Sequence, residues 1–138
     1  MMKDDCIFCK LANGVFPTNS VYEDDDFKVI LDAGPAAKGH SLVIPKNHSE
    51  NALDADAETL GKAMVIAAKT GNAIKKAFGC DGINIVQNNG EAAGQTVFHL
   101  HIHVIPRYKD DKVGISWTPG TDTDENYKKT AQEIRENF

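Results

Sequence analysis

The stretch HLHIHVIPR, residues 99–107, places three of the chain's five histidines at every second position, with apolar residues between them. Side chains alternate across a β-strand, so this spacing predicts His99, His101 and His103 on one face. The apolar residues between them, together with Phe98, would then face the core. Two chemistries suit such a face: ligation of a metal by three imidazoles, and covalent catalysis by one of them.

The composition is that of an ordinary globular domain. The chain has 138 residues, 41% hydrophobic and 25% charged, which predicts one folded domain rather than disorder. Its formal charge of −5 argues against a nucleic-acid binder, because such proteins carry a basic stripe. No apolar run approaches the roughly eighteen residues of a membrane span, and the N-terminus lacks the apolar region of a secretion signal. We therefore expect a cytoplasmic protein without a disulfide framework.

Short apolar, β-branched runs separated by turn residues predict a sheet of about five strands. The predicted strands are Val21–Tyr22, Phe27–Leu31, HSLVIPK at 40–46, DGINIVQNNG at 81–90 running into a turn, and TVFHLHIHVIP at 96–106. The loops between neighbouring strands are short, which favours an antiparallel meander.

One long helix separates the third and fourth of these strands. Asp54 and Asp56 supply its cap and first-turn acids, and Gly79 marks its end. Apolar and small residues recur within it every three or four positions, which predicts a buried stripe of Leu60, Met64, Ala67, Gly71, Ile74 and Phe78. A short N-terminal helical knuckle and a C-terminal helix complete an α+β domain that spans residues 1–138.

A glycine-bearing turn precedes the histidines. NNGEAAGQT, residues 88–96, offers backbone N–H groups and short amide or hydroxyl side chains, which are donors that suit a phosphate. A metal site needs no such donors, so the turn favours histidine as a nucleophile. A neutral imidazole can attack phosphorus when its second nitrogen donates to a fixed acceptor. The neighbouring imidazoles would then neutralise the phosphate oxygens.

These motifs resemble one known family. HLHIHVI matches the H-φ-H-φ-H-φ-φ signature of the histidine triad (HIT) family of nucleotide hydrolases and transferases. Residues 22–48, YEDDDFKVILDAGPAAKGHSLVIPKNH, resemble its N-terminal strands, and residues 88–104 its active-site segment. The resemblance covers roughly residues 5–110 and leaves 111–138 as a C-terminal extension. It implies a HIT-like fold and a homodimer formed through the helix and a neighbouring strand.

The resemblance also implies a role for each matching position. His101 resembles the nucleophile that takes the nucleotidyl group, and His103 the residue that contacts the α-phosphate. His40 is similar to the histidine of the hydrogen-bond relay behind the nucleophile, and Asp32 to the acid that accepts both ribose hydroxyls. Thr96 stands where the Hint-like branch usually has serine and keeps the hydroxyl. The phosphate-side positions are Asn88, Gly94, Gln95 and Thr96, and the base pocket would be lined by Phe8, Leu11 and Ile30.

Each of these residues also has a purely structural interpretation. Asp32 could cap the turn before Gly34, His40 could be a structural histidine that opens a strand, and Phe8 and Ile30 could be ordinary core residues. Only the complete set favours a nucleotide site.

Cys6 and Cys9 form a C-x₂-C pair, a spacing that holds two thiolates on one tetrahedral ion. If His40, His101 and His103 take part in the reaction, His48 and His99 remain to complete a Cys₂His₂ site. We therefore predict a structural zinc, as in a subset of bacterial-type HIT proteins, with no metal required for catalysis. A redox C-x-x-C motif and two free thiols are the alternatives, although the chain lacks the βαβ context of the former.

The predicted function is hydrolysis or transfer at purine nucleoside phosphates, AMP- or GMP-like, through a nucleotidyl-histidine on His101. The leaving group stays open: residues 94–104 resemble the Hint-like phosphoramidases, whereas Pro106-Arg107 resembles the fragile-histidine-triad branch, which acts on dinucleoside polyphosphates. A non-catalytic nucleotide-binding protein and a zinc hydrolase with three histidine ligands are the competing hypotheses.

Overall fold

An antiparallel five-stranded sheet with one long helix against it forms the fold, in a computed structural model that describes residues 1–138. The α+β prediction is confirmed. The strands are β1 (Ser20–Glu23), β2 (Phe27–Leu31), β3 (Ser41–Pro45), β4 (Gly82–Val86) and β5 (Ile102–Arg107). The helices are α1 (Ile7–Ala12), α2 (Ala57–Phe78) and α3 (Asp124–Arg135), with one 3₁₀ turn at Glu91–Ala93. None of the helices combines the length and apolar character needed to cross a bilayer.

The sheet order is β1-β2-β3-β5-β4, so the prediction of a simple meander is wrong beyond β3. The first three strands pair consecutively, as expected. The chain then runs through α2 to the far edge of the sheet, where β4 begins, and β5 returns between β4 and β3. In that register His103 lies between Leu42 and Val86, near the centre of the sheet.

Small residues bring α2 close to the sheet. The helix begins after Asp56, whose carboxylate accepts the Thr59 N–H at 2.8 Å, and it ends at Gly79 with φ of 63°. Its buried residues are Ala63, Ala67, Thr70, Gly71 and Ile74. A Cβ on Gly71 would lie 3.3 Å from Ile83, which shows how tightly the helix packs.

The predicted buried stripe of α2 is therefore wrong at two of its large members. Met64 and Phe78 are 51% and 42% exposed. The physical reason is that the close approach of helix and sheet favours small side chains such as Ala63, Ala67 and Gly71 on the buried face, where Ile74 is the large residue that fits, so Met64 and Phe78 turn outward.

The segment before β5 is not part of the strand. Residues 96–101 were predicted to pair, but β5 begins at Ile102, and the Leu100 N–H donates instead to the Ser49 carbonyl at 2.8 Å. Leu100 is buried as expected, whereas Phe98 is 45% exposed, so its predicted core position is wrong. Freed from the ladder, the chain can turn His99 towards the N-terminal helix α1.

Candidate active site and metal centre

The four predicted metal ligands meet in one cluster. His99 Nδ1 lies 3.3 Å from the Sγ atoms of both Cys6 and Cys9 and 3.2 Å from His48 Nδ1. His48 Nδ1 also lies 3.5 Å from Cys9 Sγ. Tetrahedral zinc with ordinary bond lengths separates two ligand nitrogens by about 3.3 Å, and a sulfur from a nitrogen by about 3.6 Å. The four side chains therefore have the spacing of a closed Cys₂His₂ shell.

Local structure aims these ligands inward. Cys6 is the N-cap of α1, and its Sγ accepts the Cys9 N–H at 3.3 Å, while Cys9 Sγ accepts the Lys3 N–H at the same distance. His99 Nε2–H donates to the Pro45 carbonyl at 2.8 Å, which leaves the Nδ1 lone pair facing the thiols. Burial lowers the pKa of His99 to about 4, so the ring is neutral and able to bind a metal.

The cysteine pair does not have the environment of a redox thiol. Burial raises the pKa of Cys9, whereas a reactive cysteine needs a lowered pKa in an electropositive, accessible site. The donor set therefore fits a structural zinc, which the cluster would hold through two sulfurs and two nitrogens.

His101 has one nitrogen anchored and one free. Its Nδ1–H donates to the His99 carbonyl at 2.6 Å, so Nε2 carries the lone pair of the neutral ring. Burial lowers the pKa of His101, which keeps that ring neutral. Phe8 packs edge-on against it, with ring centroids 4.8 Å apart. This is the tautomer that a nucleophilic imidazole requires.

His103 has the opposite tautomer, because His40 fixes it. The Ala36 N–H donates to His40 Nδ1 at 3.0 Å, so His40 carries its proton on Nε2 and donates it to His103 Nδ1 at 2.9 Å. His103 then carries its own proton on Nε2, as a donor. Burial lowers the pKa of His103 to about 4, with the neighbouring His101 and His40 adding to the shift.

The resemblance assigns His40 to the hydrogen-bond relay behind the nucleophile, and the structure identifies its direct partner as His103. His40 is hydrogen-bonded to His103, while the backbone carbonyl of His99 holds His101. His40, His103 and Asp32 also lie close enough together to share an ion. This group of side chains is poorly suited to binding an ion, because the His40 Nε2 atom that faces His103 and Asp32 carries a proton.

A cavity of about 600 Å³ opens beside the two histidines. Among the predicted residues it is lined by Phe8, Leu11, Ile30, Asp32, Thr96, His101 and His103. Sequence reasoning missed other walls, chiefly Pro17, Thr18, Asn19, Leu42 and Val97. These residues carry no chemical signature in the sequence, and tertiary contacts bring them to the cavity; for example, the Asn19 carbonyl accepts the Leu31 N–H at 3.1 Å.

Asp32 both caps a turn and faces this cavity. Its Oδ1 accepts the Gly34 N–H at 2.8 Å, and its Oδ2 lies 3.4 Å from His40 Nε2 and 3.8 Å from His103 Nδ1. The side chain is one-fifth exposed on the cavity wall. The two interpretations of this residue are therefore compatible, because one oxygen serves the turn and the other stays near the histidines.

Gln95 braces the loop instead of presenting its side chain to a phosphate. The residue is 2% exposed, and its Nε2 donates to the carbonyls of Glu50 at 2.7 Å and Val97 at 3.1 Å. Its Oε1 accepts the Gly90 N–H at 2.8 Å and the Asn51 amide at 3.3 Å. Its predicted use of that side chain on the phosphate side is therefore corrected: the amide is fully occupied within the protein.

Asn88 and Gly94, two other phosphate-side positions, also lie outside the cavity lining. Gly94 has φ of 98°, and a Cβ there would meet Asn88 Nδ2 at 3.4 Å, so this glycine is needed for the turn itself. Arg107 is likewise absent from the cavity, since it is held by Asp111, Asn84 and the Val113 carbonyl at 2.7–3.0 Å. The residue that resembled the fragile-histidine-triad branch is thus used in the fold.

Comparison with known proteins places this geometry in a family. The HIT domain family model matches residues 13–110. A HIT family protein from Bacillus anthracis superposes with a TM-score of 0.91 at 40% identity, over 98% of both chains. A Zn-bound histidine triad family protein from Mycobacterium smegmatis superposes with a TM-score of 0.77 at 39% identity, over 84% of both chains.

One relative has a named activity. Adenylylsulfatase HINT3 of Arabidopsis thaliana is 43% identical over 110 residues, which are 80% of this chain and 56% of that protein. The family model covers well over half of the present chain, including all three histidines of the HLHIHVI stretch. The chain therefore belongs to the HIT domain family.

Proposed function

We propose that the protein transfers the nucleotidyl group of a purine nucleoside phosphate to His101 and then to water. The observation that carries this proposal is the opposite tautomers of two adjacent histidines on one cavity wall. His101 presents a lone pair at Nε2, and His103 presents a proton at Nε2. A nucleophile beside a donor is the pair that attack on a phosphate requires.

The proposed reaction uses two displacements at the α-phosphorus. His101 Nε2 bonds to phosphorus as the bond to the leaving nitrogen breaks, and His103 Nε2–H donates to a phosphate oxygen. The departing nitrogen keeps the electron pair and takes a proton that the Thr96 hydroxyl relays from solvent, so Thr96 stays protonated. Water then attacks the nucleotidyl-histidine, loses a proton to solvent, and releases the nucleoside monophosphate and free His101.

The remaining cavity residues suit the nucleoside. Asp32 would accept the ribose hydroxyls through its free oxygen, and the apolar walls from Phe8, Leu11 and Ile30 would enclose the purine. The backbone of the 88–96 turn would supply further N–H groups to the phosphate. The side chains of Asn88 and Gln95 and the positive φ of Gly94 would act by shaping that turn.

Amines are the favoured leaving groups. The residue that argued for dinucleoside polyphosphates, Arg107, is committed to Asp111 and Asn84 away from the cavity. The name of the Arabidopsis relative describes cleavage of an adenylyl–sulfate bond, which the same displacement at His101 would accomplish with sulfate as the leaving group. A non-catalytic nucleotide binder would have no use for an anchored nucleophile.

A structural zinc is proposed for the Cys6, Cys9, His48 and His99 cluster, as supported by the Zn-bound relative from Mycobacterium smegmatis. When bound, zinc would cross-link α1 to the segment before β5. His99 then serves the reaction only through its backbone carbonyl, which holds His101.

Intact-mass analysis tests the function directly. The protein is mixed with adenosine 5′-phosphoramidate and quenched on the millisecond scale. We expect an adenylyl adduct on the native protein and on a Lys128→Met surface control, and none on His101→Ala. Absence of the adduct, together with no AMP release over a long incubation, would refute the proposed hydrolase.

We also propose that the protein is a homodimer. Met64 and Val65 on α2 and Ile85 on the edge strand β4 are apolar and 51%, 55% and 39% exposed, and they lie on a helix and a strand of the kind through which the resemblance implies dimer formation. An unpaired edge strand also presents free backbone groups for pairing with a second copy. Light scattering after size-exclusion chromatography should give twice the chain mass of 15.0 kDa, and Val65→Asp should give the monomer.

A further inference from the structure

Two asparagines of the chain are followed directly by glycine, Asn13 and Asn89. Such a pair is chemically labile, because glycine has no Cβ to shield its backbone nitrogen from the neighbouring side-chain amide. That nitrogen can attack Cγ of the asparagine and expel ammonia. The contacts of the glycine N–H and of the asparagine side chain control this reaction in a folded protein, and the two pairs have opposite environments.

The Asn89–Gly90 pair is held by the fold. The Gly90 N–H donates to Gln95 Oε1 at 2.8 Å, and Gln95 is 2% exposed. The Asn89 amide accepts the Ala52 N–H at 2.9 Å and exchanges hydrogen bonds of 2.7 and 2.9 Å with the Gln87 amide. Attack by the Gly90 nitrogen would first break its bond to a buried acceptor, so this pair is protected.

The Asn13–Gly14 pair is open at the reacting atoms. Both residues are exposed, and Gly14 has no atom within 4 Å on the side where a Cβ would stand. The Gly14 N–H makes only a long contact of 3.5 Å with the Leu11 carbonyl. The Asn13 side chain makes its hydrogen bonds through Nδ2, which leaves Oδ1 to water. Water can therefore stabilise the negative charge that develops on Oδ1 during the attack.

We propose that Asn13 is a site of spontaneous modification, which converts with time to aspartate or isoaspartate and thereby loosens α1. The Gly14 nitrogen bonds to Asn13 Cγ and loses its proton to water, while Nδ2 leaves with the electron pair of its bond, takes a proton and departs as ammonia. Water then opens the cyclic imide by adding OH to one carbonyl carbon and H to the Gly14 nitrogen. Opening at Cγ gives aspartate, and opening at the backbone carbonyl gives isoaspartate.

The product loses the contacts through which Asn13 holds α1. Asn13 Nδ2 donates to the Cys9 carbonyl at 2.9 Å and to the Lys46 carbonyl at 3.0 Å, so it joins the end of α1 to the residue that follows β3. A carboxylate cannot donate these bonds. Its charge would also face two carbonyl oxygens at the C-terminal end of a helix, where negative charge is unfavourable. Both products therefore weaken the link between α1 and the sheet.

The helix that is loosened carries residues of both candidate sites. Cys6 caps α1 and Cys9 lies within it, in the cluster proposed to bind zinc, and Phe8 and Leu11 line the nucleotide cavity. A looser α1 would hold neither set as firmly. The inference does not depend on the proposed hydrolase, since it concerns the covalent stability of the chain itself.

The experiment incubates the full chain at neutral pH and body temperature over several weeks. Peptide mapping by mass spectrometry, with fragmentation that separates aspartate from isoaspartate, follows Asn13 and Asn89 in the same sample. We expect Asn13 to convert at least about tenfold faster, which corresponds to the cost of breaking the bond between Gly90 and Gln95. Equal rates at the two asparagines, or no conversion at Asn13, would overturn the proposal.

The variant Asn13→Asp reproduces one product and tests its consequence. We expect Tm to fall by about 3–7 °C and hydrogen exchange of the α1 amides to quicken about five- to thirtyfold, because two hydrogen bonds are lost. The matched control is Asn137→Asp. Asn137 makes the same kind of bond at the end of α3, to the Glu133 carbonyl at 2.9 Å, but it has no link to a second element. It should change Tm by less than about 2 °C.

The result in the two variants decides the structural part of the proposal. If Asn13→Asp changes Tm and α1 exchange no more than Asn137→Asp changes Tm and α3 exchange, the bond to Lys46 does not hold α1 and the proposal is wrong. None of these measurements uses nucleotide turnover, so that outcome would leave the hydrolase proposal standing.

Discussion

Replacing Gln95 with leucine distinguishes a structural brace from a phosphate ligand. Leucine has a similar volume, but it cannot make the four hydrogen bonds of the Gln95 amide. Each such bond contributes about 0.5–1.5 kcal/mol, and partners left unpaired in a buried site add to the loss. Because Gln95 is 2% exposed, we expect the free energy of unfolding to fall by about 2–4 kcal/mol.

Urea unfolding followed by circular dichroism measures this loss directly. For a chain of 138 residues it corresponds to a decrease in Tm of about 7–14 °C. Gln132→Leu is the matched control, since Gln132 makes one exposed hydrogen bond to Glu136 and should change stability by less than about 0.5 kcal/mol. The brace interpretation is refuted if Gln95→Leu leaves stability within that limit while AMP binding weakens.

Two further predictions concern the metal and the pH dependence. Removing metal with a chelator should lower Tm strongly but should change the hydrolysis rate little at a temperature where the protein stays folded. Co²⁺ bound at the site should give a thiolate charge-transfer band that Cys9→Ser abolishes. Equal losses of hydrolysis rate and stability would contradict a purely structural metal. The pKa of His103 is lowered to about 4 from its ordinary value of 6.5, so the unfolded chain binds more protons between those values. Stability is therefore complete above pH 6.5 and should fall by about 2 kcal/mol as the pH decreases to 4, with a smaller fall in His103→Gln; an unchanged slope would argue against the buried neutral ring.

The candidate side chains were largely identifiable in advance, because chemistry and spacing appear together in the sequence. The C-x₂-C pair and the alternating histidines are recognisable in the sequence as candidate metal ligands and catalytic residues. The structure brings Cys6, Cys9, His48 and His99 within ligand distance of one another. The caps of α2 were equally clear, since Asp56 and Gly79 act through local backbone groups. The assigned roles at the nucleotide site stay predictions.

What the sequence could not supply were facts that depend on distant partners. The face of α2 that is buried depends on how closely the helix approaches Ile83, and Met64 is turned out for that reason. The structural role of the Gln95 side chain depends on its hydrogen bond to the carbonyl of Glu50, 45 residues away, and no local sequence pattern reveals that contact.

By itself, the sequence determined the class of the fold, the family signature and the residue types available for chemistry, since these depend on periodicity and composition. Only the tertiary structure decided which nitrogen of each histidine is free. The Pro45 carbonyl orients His99, the His99 carbonyl orients His101, and His40 orients His103. A tautomer is set by the partner of the other nitrogen, and those partners are assembled only when β3, β5 and the turn before Ser41 pack together.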